Sequence, residues 1–347
     1  MPPIKEKRFS FAGLQWSVAM DAARAERVRK SHLYRYILKP GLSRVGQRNG
    51  HTAAPIAPPI AHAAPPSVHS DPAAREIWDR ISNMHWYHTI DLGHGVATPG
   101  FIDNRPTVHL FGIPEDLTGM RCLDIGTYDG FWSFEFERRG ASEVIGIDVD
   151  SPLEHDIPRQ TKLRLEEQAK QEDLHDSFNR ELAGVGLQVQ GEGFRTAADI
   201  LGSKARRLSL NVYDLSPERV GMFDVVLISQ LLLRLRDPQT IIENMFSVCR
   251  GIAIIAEPYD ARLEALPEAA SHFVGTEEAG VWWGHSIKSM RKMMSVAGFD
   301  PIEEVARFPV QNRVGNFDKV ILKGHAHVQN ADTAAPAEVR AVEAGAR

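Results

Sequence analysis

Between Arg121 and Lys323 the chain alternates short apolar runs with stretches of helical periodicity, and this alternation constrains the fold more than any other feature. Strand-like runs separated by helices predict crossover units, which build a mostly parallel sheet with helices on both faces. The last two runs are close in sequence, so we expect an antiparallel hairpin at one edge. The expected fold is α/β with a seven-stranded sheet. Its runs are RCLDIG, EVIGIDV, RLSLNVYDL, FDVVLIS, GIAIIAEP, AGFDPIEEVARF and FDKVILKG.

The first fifty residues form a basic arm ahead of an acidic body. Eleven Lys or Arg against three acids give residues 1–50 a charge of +8, which leaves −13 for the rest of a chain of net charge −5. We expect a partly helical arm with a basic amphipathic helix over 18–38. This helix either packs on the domain or is partly disordered, or else it contacts RNA or an anionic membrane surface. The acidic body argues against a broad phosphate-binding face on the main domain.

Composition also divides the remaining chain. Prolines among alanines mark 51–72 as an extended linker, and an Ala-rich stretch without large apolar residues marks 326–347 as a disordered tail. We expect one domain over 73–325, which opens with a lid segment over 73–115. The two cysteines form no ligand spacing and no apolar stretch is long enough to span a bilayer. We therefore expect a cytoplasmic protein with no integral membrane association and no metal site.

The ends of the predicted strands carry polar residues, and ligands of parallel α/β sheets bind beyond these ends. The first strand leads into the glycine-bearing turn DIGTYDG and a helix, where backbone amides can approach a ligand. The second ends at Asp148, about 20 residues further on, where a carboxylate can accept two ribose hydroxyls. The third ends near Tyr213 and Asp214, and the fourth delivers Gln230 to the same rim. Taken singly, the glycines have the interpretation of a tight turn, Asp148 that of a helix cap and Asp214 that of the start of a turn. Taken together, the strand ends indicate a nucleoside site.

In this order, DIGTYDG, IDVD, VYDL and FDVVLISQLLLRLRDP resemble the four nucleoside-binding motifs of class I S-adenosylmethionine-dependent methyltransferases, which have a Rossmann-like fold. More narrowly, WYHTIDLGHGVATPGFIDNRP followed by LTGMRCLDIGTYDGFWSFEFERRGA resembles the tRNA wobble-uridine methyl or carboxymethyl transferases. The resemblance implies S-adenosylmethionine as the cofactor. The expected cofactor-binding residues are Asp124, Gly126, Thr127, Tyr128, Asp129, Gly130, Asp148, Val149, Tyr213, Asp214 and Gln230.

The acceptor is expected to be a small molecule, such as a natural product or a saccharide, methylated on oxygen or nitrogen. Leu232, Leu233 and Arg234 stand where the tRNA family has Leu-Tyr-His. Methylation of a tRNA wobble uridine is the alternative within the class. A non-catalytic nucleoside-binding module that acts in regulation is the alternative outside it.

Methyl transfer from a sulfonium is an in-line displacement, so alignment and exclusion of water contribute most, and a hydroxyl acceptor also benefits from a general base. The candidate catalytic residues are His88, Arg234, Glu257 and His285. The aromatic residues expected to bind the substrate are Trp86, Tyr87, Trp282 and Trp283. Each has a structural interpretation too: core packing for the aromatic residues, a hydrogen-bonded position for His88, a helix cap for His285, a surface ion pair for Arg234 and a turn for Glu257.

Overall fold

The computed structural model describes residues 5–11, 14–20, 68, 70–169, 191–275, 280–312 and 315–326. Nearly all of the predicted linker and tail, and residues 21–38 of the predicted arm helix, lie outside these described residues. The arm contributes β1 (Lys5–Phe11) and β2 (Leu14–Met20), which pair as an antiparallel hairpin. Residues 18–20 are therefore strand rather than helix, and the alternation of apolar and other residues in LQWSVAM explains this, because period two favours a strand.

One seven-stranded sheet organises the main body. Its strands are β3 (Arg121–Ile125), β4 (Glu143–Asp148), β5 (Arg206–Ser209), β6 (Phe223–Ser229), β7 (Cys249–Pro258), β10 (Ile302–Asn312) and β11 (Gly315–His325). Their order across the sheet is β10-β11-β7-β6-β3-β4-β5. The five from β3 to β7 are parallel, whereas β11 runs antiparallel to β7 and pairs with β10 as an edge hairpin. The predicted α/β, Rossmann-like sheet is confirmed.

Helices connect these strands and cover the sheet. Their bounds are α1 (Pro72–Ile81), α2 (Phe131–Arg138), α3 (Arg159–Ala169), α4 (Glu192–Leu201), α5 (Pro217–Val220), α6 (Pro238–Ser247) and α7 (Ile287–Ala297). A separate pair of short strands, β8 (Ser271–Phe273) and β9 (Trp283–His285), precedes α7. Helix α1 begins where the sequence predicts, because the Asp71 carboxylate accepts the N–H of Ala73 and Pro72 occupies the first turn.

Apolar side chains pack on both faces of the sheet. Along β6, Val225 and Leu227 belong to one core layer, and Val226 and Ile228 belong to the other. Both faces are covered, which is why the strands read as nearly continuous apolar runs. The first layer also includes buried residues of 73–115, such as Phe111. The segment predicted to be a lid is thus packed against the sheet. Within the described ranges, no helix combines the length and apolarity needed to cross a bilayer.

Candidate active site

The turn that joins β3 to α2 has a left-handed backbone at three positions. The φ angle is +74° at Gly126, +49° at Tyr128 and +91° at Gly130. A Cβ atom on Gly126 would lie 2.8 Å from Cδ2 of Leu231, so this position needs glycine for space as well as for conformation. The turn therefore lies directly against the residues that follow β6, at the carboxyl edge of the sheet.

Asp124 supports this turn from beneath. Its buried carboxylate accepts hydrogen bonds from the Thr127 hydroxyl at 2.7 Å and from the backbone N–H and hydroxyl of Ser133 at 3.1 and 2.9 Å. Burial raises the pKa of Asp124 to about 6, although these hydrogen bonds oppose the increase. The structure therefore places Asp124 and Thr127 as internal braces of the turn, rather than at the rim where the sequence predicts cofactor contacts.

Asp148 connects the ends of the first two parallel strands. One carboxylate oxygen accepts the N–H of Tyr128 at 2.9 Å, and the other accepts the N–H of Val149 at 2.8 Å. Each carboxylate oxygen has two lone pairs, so both can accept a further hydrogen bond. Asp148 is only half-buried. The carboxylate predicted to bind ribose thus lies beside the glycine turn and remains accessible.

The loops that follow β4, β5 and β6 meet at Asp156, which sequence reasoning did not single out. Its carboxylate accepts the Tyr213 hydroxyl at 2.7 Å and pairs with the Arg236 guanidinium at 2.8 Å. Its backbone oxygen accepts the indole N–H of Trp282. Asp214, beside Tyr213, is exposed. No local pattern marks Asp156, because its partners are distant in the sequence.

The predicted tryptophans occupy three settings. The guanidinium of Arg236 lies over the ring of Trp282 at 4.7 Å, and the indole N–H of Trp283 donates to the backbone oxygen of Arg236 at 3.0 Å. Both therefore pack against the loop that follows β6. Trp86 is 2% exposed and donates its indole N–H to the backbone oxygen of Ile81. It occupies the core, which corresponds to the packing interpretation.

His285 is buried at the start of α7. Its Nδ1 lies 2.8 Å from the Ser271 hydroxyl, whereas Nε2 has no partner among the described residues. Burial lowers the pKa of His285 to about 4, so the ring is neutral near pH 7. The helix cap predicted for His285 is supplied instead by Ser286, whose side chain accepts the N–H of Ser289.

A buried carboxylate joins the predicted lid to the glycine turn. Asp129 Oδ2 accepts the backbone N–H groups of Tyr87 at 2.9 Å and His88 at 2.7 Å, and Oδ1 lies 2.5 Å from Nδ1 of His88. His88 also stacks on Phe131, with ring centroids 5.2 Å apart. The imidazole is thereby fixed in orientation, and Nε2 is the ring nitrogen that Asp129 leaves available.

Gln230 joins the predicted lid segment to β11, the strand next to one edge of the sheet. Nζ of Lys319 on β11 donates to Oε1 of Gln230 at 2.9 Å, and Nε2 of Gln230 donates to the hydroxyl of Tyr87 at 2.9 Å. Lys319 is fully buried, and burial lowers its pKa to about 7, although the nearby charge of Glu257 acts to raise it. Sequence reasoning missed Lys319, because nothing in the run FDKVILKG distinguishes this lysine from Lys323 or marks it as part of a site.

Glu257 closes the same region from β7. Oε1 accepts the N–H groups of Leu231 at 2.7 Å and Leu232 at 3.1 Å, while Oε2 has no partner among the described residues. Burial raises the pKa of Glu257 to about 7. Arg234, one turn further along, is close enough for its charge to oppose the rise in the pKa of Tyr87. Glu257, Arg234 and Tyr87, all predicted as site residues, are therefore neighbours.

The sheet topology and the strand-end residues define the class of protein. The chain has a seven-stranded sheet of this order, with a glycine turn after β3 and a carboxylate after β4. It is a class I S-adenosylmethionine-dependent methyltransferase with a Rossmann-like fold. The chain belongs to the methyltransferase domain family, whose model matches residues 103–304, more than half of its length. Within the described ranges, no group of three or more His, Cys, Asp or Glu side chains could hold a metal ion.

The chain is similar to several solved structures at low sequence identity. The N-terminal domain of EvdMO1, crystallised with SAH bound, is 15% identical over 73% of this chain and 97% of that one, with a TM-score of 0.49. Magnesium protoporphyrin IX methyltransferase from Synechocystis PCC 6803 is 16% identical over 60% and 75%, with a TM-score of 0.38. The 1,6-didemethyltoxoflavin-N1-methyltransferase of Burkholderia thailandensis is 12% identical over 61% and 72%, with a TM-score of 0.39. No curated protein matches the chain.

Proposed function

We propose that this enzyme transfers a methyl group from S-adenosylmethionine to an oxygen or nitrogen atom of a small molecule, such as a natural product or a saccharide. The observation that carries the proposal is the contact of Asp148 with the Tyr128 amide, 2.9 Å apart across adjoining strand ends. It sets a carboxylate with unused lone pairs beside a glycine turn. A ribose needs such a carboxylate, and an amino-acid tail needs the close backbone approach.

The rim residues fit an adenosyl group. Each Asp148 oxygen accepts one backbone N–H, of Tyr128 or of Val149, and can accept a second hydrogen bond, as the two hydroxyls of a ribose require. Asp148 would hold the ribose, and the exposed Asp214 would meet the adenine edge. When bound, S-adenosylmethionine supplies an electrophilic methyl group on a sulfonium.

His88 is the residue best equipped to remove a proton from the acceptor. Its Nδ1 is held 2.5 Å from Asp129, so the ring is oriented and Nε2 serves as the base. A carboxylate that orients an imidazole in this way also favours the charged ring that forms when the proton is taken. His285 lacks such a partner, since its Nδ1 contacts a serine hydroxyl.

A small acceptor accounts for the residues better than a tRNA does. Leu233 and Arg234 replace the Tyr-His that the tRNA family carries after β6, and the charge of −13 outside the first fifty residues disfavours a long phosphate backbone. The ring centroid of Tyr87 lies 6.0 Å from that of Phe101 and 5.8 Å from that of Tyr128, and such aromatic surfaces suit a small planar or ring-shaped molecule.

Isothermal titration with S-adenosylmethionine and S-adenosylhomocysteine tests the cofactor, and incubation with methyl-labelled donor and a small-molecule extract tests transfer. We expect saturable binding of both nucleosides and label in the low-mass fraction. The absence of nucleoside binding contradicts the proposal as a whole. Label that enters only the RNA fraction contradicts the proposed acceptor.

A further inference from the structure

Lys319, Gln230 and Tyr87 form a hydrogen-bonded chain whose direction is fixed while Lys319 is protonated. An ammonium group only donates, so the Gln230 oxygen must face Lys319. The Gln230 amide nitrogen then faces Tyr87 and donates to its hydroxyl oxygen. The hydroxyl proton of Tyr87 therefore points away from the chain and is left to donate to another group.

This hydroxyl stays protonated near neutral pH. Burial raises the pKa of Tyr87 to about 12; the charges that face it are those of Arg234, which opposes the rise, and of Glu257 and Asp129, which add to it. The residue as a whole is only half-buried, and its neighbour His88 is the proposed base. The donor thus lies next to the position where the acceptor would bind.

We propose that the Tyr87 hydroxyl donates a hydrogen bond to the methyl acceptor, and that Lys319 is the positioning residue that sets the direction of this bond through Gln230. The group recognised is an oxygen that accepts a hydrogen bond, such as a carbonyl oxygen, near the atom that is methylated. The identity of the occupant rests on the proposed function, whereas the direction of the chain does not.

The direction of the chain depends on the charge of Lys319. Three groups face its Nζ: Oε1 of Gln230, the ring of Phe111 at 5.2 Å, and the Glu257 carboxylate on β7. Above a pH of about 7 the amine is neutral and can accept as well as donate. The Gln230 amide can then reverse, and the Tyr87 hydroxyl can donate its hydrogen bond to the Gln230 oxygen.

NMR of protein labelled with ¹³C at tyrosine Cζ tests the direction of the chain. The chain has six tyrosines, and Tyr87→Phe assigns the resonance of Tyr87. Glu257 also faces Tyr87 and has a pKa of about 7, so its titration is first removed by making every measurement in the Glu257→Gln background. In that background we expect the Tyr87 resonance to shift as Lys319 titrates, far below tyrosine ionisation, and to be independent of pH over that range when Lys319→Met is added. Lys323→Met is the matched control, because Lys323 lies on the same strand but pairs with Glu303 at 3.1 Å. Gln230→Leu breaks the chain independently and should also abolish the midpoint.

In the Glu257→Gln background, a midpoint that persists after Lys319→Met, or the absence of a midpoint while Lys319 is present, overturns the proposed direction. Acetophenone and ethylbenzene then test recognition, since they differ by one carbonyl oxygen. One net hydrogen bond predicts that acetophenone binds about three- to tenfold more tightly, a preference lost in Tyr87→Phe. Equal affinities, or no binding of acetophenone, overturn the recognition. Both measurements are made with and without S-adenosylhomocysteine, so failure of the nucleoside to bind contradicts the proposed function and leaves the chain test intact.

Discussion

The Asp129 carboxylate lies 2.5 Å from Nδ1 of His88 and also accepts that residue's own backbone N–H at 2.7 Å. One buried acid from the glycine turn thus fixes both the imidazole and the backbone that carries it. Asp129 Oδ2, the oxygen that accepts the backbone N–H of His88, also accepts the backbone N–H of Tyr87. Because these groups are buried, each of them depends on Asp129 for its hydrogen bond.

Asp129→Ala is expected to lower the free energy of unfolding by about 3–5 kcal/mol, since it leaves several buried polar groups without partners. Urea denaturation measures the loss. The control is Asp103→Ala in the predicted lid segment, because Asp103 forms a part-exposed pair with Arg105 at 2.7 Å and such pairs contribute about 1 kcal/mol or less. Equal losses for the two variants would show that Asp129 does not hold the lid.

Gly126→Ala is expected to destabilise the protein for two separate reasons. A left-handed φ costs a residue with a side chain roughly 1–2 kcal/mol, and the new Cβ atom would also meet Leu231 at 2.8 Å. Gly119→Ala isolates the first cost, because Gly119 has φ +79° and open space around its Cβ position. We expect the larger loss in urea denaturation at position 126, and partial recovery when Leu231→Ala is added. Indistinguishable losses would mean that the packing of the turn against β6 is not tight.

The strand ends could be predicted from the sequence because local patterns set them. The run EVIGIDV marks β4 and the position of Asp148, and DIGTYDG marks the turn after β3. Parallel strands bring these two ends to one edge of the sheet, so the pairing of Asp148 with the turn follows from the topology.

The partners of the site residues could not be predicted in the same way. Asp124 belongs to the expected motif, but its hydrogen bonds turn it inward beneath the turn. Asp156 meets its partners across 57 to 126 positions of sequence and Lys319 meets Gln230 across 89, and no local periodicity encodes such contacts. The roles of His88 and Glu257 in catalysis stay predictions.

Glu257 and Lys319 are expected to give opposite pH dependences of stability. The pKa of Glu257 is about 7 in the folded protein and ordinarily 4.5, so the folded state binds more protons between these values and stability falls as pH rises. The pKa of Lys319 is about 7 and ordinarily 10.5, so the unfolded state binds more protons above pH 7 and stability rises with pH. The two groups together produce a minimum near pH 7.

Urea denaturation at constant ionic strength checks this prediction. Glu257→Gln should remove part of the falling limb, and Lys319→Met should remove the rising limb above pH 7. Asp124, whose pKa is raised to about 6, adds to the falling limb below that pH and should keep doing so in both variants. An alkaline limb that survives in Lys319→Met would show that another group produces it.

Asp148→Asn is expected to weaken the binding of S-adenosylhomocysteine about 10- to 100-fold, since hydrogen bonds to a charged group contribute roughly 1.5–3 kcal/mol. The asparagine oxygen can still accept the Tyr128 N–H, but the amide nitrogen cannot accept the Val149 N–H, so we expect the turn to persist with a loss of about 1–2 kcal/mol in the free energy of unfolding. Asp150→Asn is the matched control, because it removes the same charge only two residues from Asp148. The Asp150 carboxylate pairs with Arg207 at 2.5 Å. Titration calorimetry should give this control an affinity close to that of the unsubstituted enzyme. If Asp150→Asn weakens binding as much as Asp148→Asn does, the effect comes from the general charge of the rim, and the ribose is not held by Asp148.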